Sequence, residues 1–179
     1  MDKTSIRLLG LSILFLLASC GKEQVQIPVN KVEKEDITDN LIEMNKQFFE
    51  LENQEIDHYI DSLKLDMGKT NSGLRYHIIQ KGEKDSITGN DEVTIKYTIG
   101  PLGEAPCDKL TDVVKTITLD HSDIEKGIRE AIPMMRESGE GEFILPSVIA
   151  YGVPGYGKCI NGWTPVFMKL SIIEVNKKR

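Results

Sequence analysis

The feature that most constrains this fold is an alternation of apolar and polar residues that begins after residue 68. Residues 93–99 read VTIKYTI, and residues 166–172 carry an apolar side chain at every second position. A period of two places successive side chains on opposite faces of a strand, so each segment predicts a strand with one buried face. Shorter segments of similar character are residues 74–79, 117–119 and 142–145. Together they predict about five strands in an antiparallel sheet that is covered on one face.

One short helix is predicted between the third and fourth of these strands. Residues 122–125 read SDIE, which has the spacing of a capping box, and Ile124, Ile128 and Ala131 fall on one helical stripe. Pro133 should end the helix early, because proline lacks the N–H that an interior turn requires. One short helix among several strands predicts an α+β domain, in which the helix covers one face of the sheet.

A long amphipathic helix is predicted over residues 36–65, before the strands. Its apolar residues recur at intervals of three and four positions, which is the helical period. The first of them are Ile37, Leu41, Met44, Phe48 and Leu51. Two interpretations of this helix remain open. It packs on the domain that follows, or it pairs with the same helix of a second copy to form a homodimer.

The first twenty residues have the character of an export signal. Lys3 and Arg7 precede an apolar run over residues 8–17, which is about half the length that a membrane-spanning helix needs. The run ends in the sequence LASCG, which resembles the bacterial lipobox, and Cys20 is therefore the predicted site of diacylglyceryl attachment and further acylation such as palmitate. Acyl chains on Cys20 would anchor the protein in a membrane.

The sequence thus divides into four predicted parts. Residues 1–19 are a lipoprotein signal peptide, and residues 20–35 are the lipidated cysteine with a flexible, charged tether. Residues 36–68 form the helical arm, and residues 69–176 form the α+β domain. This organisation predicts a lipid-anchored protein of the cell envelope, with its domain outside the cytoplasm, in the periplasm or at the cell surface.

Several function classes lack support in the sequence. The chain has 22 basic and 28 acidic residues, and a formal charge of −6 disfavours binding to the phosphates of a nucleic acid. Residues 152–159 approach the phosphate-binding pattern GxxxxGK[ST], but Cys159 cannot offer the hydroxyl that the last position requires. The three histidines lie in unrelated elements and no spacing is typical of metal ligands, so neither a metal nor a cofactor is expected.

Four stretches resemble the FKBP-type peptidyl-prolyl cis–trans isomerases. Residues 93–98 (VTIKYT) are similar to the family's V-x-V-x-Y-T strand, and residues 124–131 (IEKGIREA) to its V-I-x-G-(W/L)-x-E-G helix. Residues 145–152 (LPSVIAYG) are similar to its I-P-P-x-L-A-Y-G segment, and residues 164–170 (TPVFMKL) to its T-L-x-F-x-V-x-L last strand. The four stretches occur in the family's order and cover, with the residues between them, some 60% of the chain.

The resemblance implies a twisted antiparallel sheet half wrapped around one short helix, with a substrate pocket between helix and sheet. By position in the family's motifs, the residues that act on the substrate are Tyr97, Asp108, Tyr151 and Phe167. Further residues that would bind the substrate are Ile124, Glu125, Ile128, Tyr156 and Ile160. The implied activity is isomerisation of Xaa-Pro bonds in exported, unfolded or partly folded polypeptides. An alternative is a non-catalytic chaperone or assembly partner of the cell envelope that has kept the same fold.

Two departures from the family's pattern predict a slower enzyme. Cys107 stands where the family has an aromatic residue before the pocket aspartate, and Asn161-Gly162 replaces a pair of prolines. In the family's fold, the positions of Cys107 and Cys159 lie near each other at the rim of the pocket. The resemblance therefore implies that these two cysteines can form a disulfide bond outside the cytoplasm, which would brace the overhanging loop.

Overall fold

The computed structural model describes residues 34–178, with side chains from residue 39 onward. The predicted signal peptide, the predicted acylation site at Cys20 and most of the tether lie outside these residues. The chain divides into two units, residues 1–41 and residues 42–179. In the first unit, the described residues begin helix α1 (Lys34–Leu63). In the second unit lie the rest of α1 and the whole domain.

A six-stranded antiparallel sheet forms the domain. Its strands are β1 (Gly68–Lys69), β2 (Arg75–Gln80), β3 (Glu92–Pro101), β4 (Val113–Thr118), β5 (Glu140–Leu145) and β6 (Val166–Asn176). Their order in the sheet is β1-β2-β5-β6-β3-β4, and every neighbouring pair is antiparallel. The five predicted strands are all present, and the two-residue β1 is the additional one. The predicted fold class is confirmed.

The two long strands β3 and β6 lie side by side and set the two faces of the sheet. Tyr97 is paired with Leu170 and Ile99 with Met168, whereas the next pair along is Gly100 with Phe167. Ile99, Met168 and Leu170 are almost fully buried, so this set marks the core face. Alternation then places the Phe167 side chain on the opposite face.

A short helix, α2 (Lys126–Ala131), covers the core face, with Ile128 and Ala131 buried. It begins later than predicted, so the predicted capping box is wrong. The Ser122 hydroxyl accepts a hydrogen bond from the Thr118 N–H at 2.9 Å and is therefore engaged with the preceding strand. The α-helix ends at Ala131, and a 3-10 turn over Ile132–Met134 contains Pro133. The predicted end of the helix at this proline is confirmed.

The part of α1 that belongs to the second unit packs on the domain. Ile56 is fully buried, and the Arg75 guanidinium, 1% exposed, donates to Asn53 Oδ1 at 2.6 Å and to Asp57 Oδ1 at 3.2 Å from Nε. The rings of Phe48 and Trp163 stack with centroids 5.7 Å apart. Packing on the domain was one of the two interpretations of this helix. Among residues 34–178, no helix is long and apolar enough to cross a membrane.

Candidate functional site

Three tyrosines from separate segments meet beside helix α2. Tyr97 lies on the core face of β3, Tyr151 follows the 3-10 turn Ser147–Ile149, and Tyr156 belongs to the loop before β6. The rings of Tyr151 and Tyr156 have centroids 5.2 Å apart and are inclined by 47°. All three side chains are partly buried and pack against the hydrophobic core. These residues, with the Glu125 carboxylate near them, are called the tyrosine cluster below.

Burial and charge both act on the hydroxyls of this cluster. Burial raises the pKa of Tyr151, and the neighbouring Glu125 carboxylate and the other two tyrosines raise it further. The pKa of Tyr97 is raised by burial, then by Glu125 and Tyr156. Since the ordinary value is already near 10, both phenols stay protonated at neutral pH and remain hydrogen-bond donors.

Isoleucine side chains form the apolar floor next to the tyrosine cluster. Ile128 of α2 and Ile160 are each 1% exposed, and Ile124 is partly buried against the same core. The loop that carries Tyr156 and Ile160 closes on itself. The Tyr156 N–H donates to the Ile160 carbonyl at 2.8 Å, and the Ile160 N–H donates back to the Tyr156 carbonyl at 3.2 Å. This pair of bonds holds an aromatic and an aliphatic side chain together at one edge of the site.

A disulfide bond joins Cys107 to Cys159. Cys107 is buried and precedes the 3-10 turn Asp108–Leu110, and its N–H donates to the Ile99 carbonyl at 3.0 Å. Cys159 is the residue before Ile160. The bond therefore ties the loop of Tyr156 and Ile160 to the segment that follows β3.

An open cleft of about 700 Å³ lies against this disulfide. Asp108 and Lys109 border it on one side, and Tyr156 and Lys158 border it on the other. Asp108 is exposed at this rim. The structure thus places Asp108 and Tyr156 at the same cleft, at the outer edge of the site.

Chemically, the site combines phenol donors with aromatic rings that pack on buried aliphatic side chains. It has no arrangement of a nucleophile and a base. Within residues 34–178, no group of three or more histidine, cysteine, aspartate or glutamate side chains could hold a metal ion. Such a site can bind an apolar ring or chain and donate hydrogen bonds to its carbonyl groups.

Comparison with known proteins identifies the relatives of this domain. No family model matches the sequence. The peptidyl-prolyl cis–trans isomerase Mip of Coxiella burnetii is 30% identical over 107 residues, which are 60% of this chain and 46% of that protein. A probable FKBP-type isomerase of Haemophilus influenzae is 26% identical over 117 residues, which are 63% of this chain and 47% of that protein. By their names, both of these relatives are peptidyl-prolyl cis–trans isomerases, and the second is a probable member of the FKBP type.

The extent of the likeness to the relatives varies. The chain spans about half the length of the first two relatives. The outer membrane protein MIP of Legionella longbeachae is 27% identical over 158 residues, which are 87% of this chain and 67% of that protein.

Solved structures establish the FKBP-like fold. FkpA from Escherichia coli has a TM-score of 0.58 at 15% identity, covering 98% of this chain and 83% of that one. A peptidyl-prolyl cis–trans isomerase from Pseudomonas syringae has a TM-score of 0.59 at 19% identity, covering 72% of this chain and 96% of that one.

Phe167 lies outside the site of the FKBP-like domain, which corrects the expectation from the last-strand motif. Its side chain is half-buried on the outer face of the sheet, in a small cavity with Thr98 and Lys169. Tyr97, by contrast, is on the core face. A shift of one residue in a strand exchanges the two faces, and Phe167 lies one position away from the buried residues Val166 and Met168.

Met168, and not Phe167, is the side chain of β6 that lies on the core face at this level. It is fully buried on the core face, between Val166 and Leu170 in the same alternating row. The signal was present in the sequence, because Val166, Met168, Leu170 and Ile172 form one period-two series and Phe167 does not belong to it. Met168 therefore takes the place in the core-face row that the prediction gave to Phe167.

Proposed function

We propose that the protein is a peptidyl-prolyl cis–trans isomerase whose substrate proline binds beside the tyrosine cluster. The observation that carries this proposal is the meeting of Tyr97, Tyr151 and Tyr156 with the buried side chains of Ile128 and Ile160. The partly buried tyrosine rings provide the apolar surface for the proline ring, and the isoleucines pack behind them. The names of the relatives support the same activity.

Such a site can accelerate rotation about an Xaa-Pro bond by preferring the twisted amide. Amide resonance gives the planar bond its barrier of roughly 18–20 kcal/mol and also makes the carbonyl strongly polar. Twisting removes that resonance, so the twisted amide loses less by leaving water than the planar one does. A dry pocket next to Ile128 and Ile160 therefore favours the transition state over the ground state.

Polar groups at the edge of the pocket hold the chain on either side of the proline. The Tyr151 hydroxyl stays protonated and donates to a carbonyl that flanks the proline. The backbone N–H of Glu125, just before α2, is a second donor at the same edge. Ile124 and Tyr156 contact the residues next to the proline, and Asp108 borders the outer rim. Rotation breaks no σ bond, so the proposed reaction uses neither a proton acceptor nor a cofactor.

The proposed location is the cell envelope, with an acylated Cys20 as the anchor. The LASCG sequence after an apolar run supports this, and the Legionella longbeachae relative is by its name an outer membrane protein. A disulfide between Cys107 and Cys159 is consistent with an oxidising compartment. The substrates would then be exported polypeptides that fold near the membrane. Radiolabelled palmitate incorporated into wild type and not into Cys20→Ala would support the anchor, and equal labelling would refute it.

A homodimer through helix α1 is part of the same proposal. Met44, Phe48 and Leu51 follow the helical period and are 52%, 47% and 61% exposed. An exposed apolar stripe of this kind is typical of a helix that pairs with another copy. Sedimentation should give a dimer for the wild type and a monomer for Met44→Glu with Leu51→Glu. A monomeric wild type would refute this part.

The alternative function is that of a non-catalytic chaperone. An apolar groove of about 500 Å³ lies between helix α1 and the segment after β5. Its exposed side chains include Phe48, Leu51, Val148 and Trp163. An extended apolar segment of another protein could bind there without any change at a proline.

The cis-to-trans rate of an Xaa-Pro tetrapeptide separates these two functions. Wild type should accelerate the reaction in proportion to its concentration, and Tyr151→Phe should lose most of the acceleration because it removes one donor without changing the ring. Phe167→Ala is the matched control, since it removes an aromatic ring from the other face of the sheet and should keep the activity. Folded wild type without acceleration, but with suppression of aggregation of an unfolded protein, would favour the chaperone.

A further inference from the structure

Helix α1 contacts the segment that carries Tyr151 through one buried carboxylate. Glu52 is 9% exposed, and Ser147 is 1% exposed. The Ser147 N–H donates to Glu52 Oε1 at 2.6 Å, and the Ser147 hydroxyl donates to Oε2 at 3.1 Å. Both carboxylate oxygens are therefore engaged by a single residue, 95 positions away along the chain.

Ser147 in turn holds the backbone on both sides of Tyr151. Its carbonyl accepts the N–H of Ala150 at 3.0 Å and the N–H of Gly152 at 2.8 Å. A displacement of Ser147 therefore moves both residues that flank Tyr151. The side chain of Tyr151 is positioned by this turn, and the turn is positioned by Glu52.

A second contact of α1 reaches the same place. Phe48 stacks on the ring of Trp163. The backbone N–H of Trp163 donates to the Gly152 carbonyl at 3.0 Å. The N–H and the carbonyl of Gly152 are thus each bonded to a residue that contacts α1. In the I-P-P-x-L-A-Y-G pattern quoted above, the position of Ser147 is a proline, which has no N–H to donate. The bond from the backbone N–H to Glu52 therefore requires a residue other than proline here, and the second bond requires a side-chain hydroxyl.

We propose that Glu52 is a positioning residue for Tyr151, and that helix α1 supports the isomerase site through the Glu52–Ser147 hydrogen bonds. This inference rests on the proposed function of Tyr151. Without Glu52, the Ser147 N–H and hydroxyl lose their partner in a buried place, and the turn must shift to reach water or another acceptor. Tyr151 then loses its fixed position relative to the substrate carbonyl.

The test uses the full chain and the pair Glu52→Ala and Glu55→Ala. Glu55 lies one turn further along the same helix and is exposed, so its variant controls for the loss of a glutamate from α1. Glu52→Ala should lower kcat/KM by about three- to tenfold at a temperature well below both melting points, since small displacements of a binding group are costly. Glu55→Ala should stay within about twofold. Glu52→Gln keeps an acceptor for the Ser147 N–H and should recover most of the activity.

Two further measurements separate positioning from loss of stability. In a Tyr151→Phe background, Glu52→Ala should have no further effect on kcat/KM, because its route to the substrate has already been removed. Hydrogen exchange at the amides of Ala150 and Gly152 should be about tenfold faster in Glu52→Ala than in Glu55→Ala. Equal exchange rates in the two variants, or an equal effect of Glu52→Ala with and without the Tyr151 hydroxyl, would overturn the inference.

These outcomes keep the inference distinct from the proposed function. An inactive wild type, or a Tyr151→Phe variant with full activity, would refute the proposed function of the tyrosine cluster. The exchange rates at Ala150 and Gly152 would still decide whether Glu52 holds the turn before Tyr151.

Discussion

The disulfide between Cys107 and Cys159 should contribute several kcal/mol to the stability of the domain. The two cysteines are 52 positions apart along the chain. For a closed loop of that size, the chain-entropy relation gives a loss of about 14 cal/mol/K in the unfolded state. At 25 °C this corresponds to about 4 kcal/mol, which is a large share of the ~5–15 kcal/mol typical of a folded domain.

The perturbation is Cys107→Ala with Cys159→Ala. Alanine suits Cys107 because that side chain is buried and a serine hydroxyl there would lack a partner. Unfolding in guanidinium chloride can be followed by the fluorescence of Trp163, the single tryptophan of the chain. The free energy of unfolding should fall by about 3–5 kcal/mol, allowing for the small cavity that each sulfur leaves.

The controls use the same pair of cysteines. Reductant should destabilise the wild type by a similar amount and should leave the double variant unchanged. A double variant within about 1 kcal/mol of the oxidised wild type would refute the reasoning, because the loop constraint would then be absent from the unfolded state.

Three further predictions concern single side chains. Met168→Ala should lower the free energy of unfolding by about 2–4 kcal/mol, and Phe167→Ala by about half as much or less, because only Met168 is fully buried. Equal losses for the two variants in chemical unfolding would contradict the assignment of the two side chains to opposite faces of the sheet. Because burial and Glu125 raise the pKa of Tyr151, ionisation of its hydroxyl should not change the isomerisation rate between about pH 6 and 9. A fall in the rate with a midpoint near pH 8 would contradict this. Burial acts to raise the pKa of Asp91, but hydrogen bonds from Lys177 and Thr88 outweigh it and lower that pKa to about 2. Because the pKa of Asp91 is lower in the folded state, the stabilisation by its carboxylate is complete above about pH 4 and is lost as the pH falls through about 2. In urea unfolding, Asp91→Asn should therefore lower the free energy of unfolding by about 2 kcal/mol at pH 7 and by little at pH 2. A loss that does not depend on pH would contradict the lowered pKa.

Local patterns in the sequence predicted most elements of this fold, but not the short strand β1 or the start of α2. The period-two segments became strands because one face of each is buried, and Pro133 ended α2 because it has no N–H to donate. The helical period of α1 predicted the helix itself. It could not predict which of its polar residues is buried, because the partner of Glu52 lies 95 positions further along the chain.

The candidate site was predictable where a motif fixed both the residue and its face. Tyr97, Tyr151 and Tyr156 lie together as the family's pattern implied they would. The motif placed Phe167 wrongly, because Phe167 is the one phenylalanine of β6 but lies outside the alternating buried series to which Met168 belongs. Asp108 illustrates another difficulty, since it lies in a 3-10 turn whose orientation follows from the buried Cys107 and not from any local pattern.

The most direct test of the central claim is exchange spectroscopy by NMR on one Xaa-Pro peptide at equilibrium. Uncatalysed exchange between the cis and trans forms takes tens of seconds or more and gives no cross-peaks on the mixing time of the experiment. A small amount of wild-type protein should produce exchange cross-peaks between the two forms, and Tyr151→Phe should greatly weaken them. The absence of cross-peaks from folded, oxidised wild type that binds the peptide would contradict the claim that this site isomerises proline.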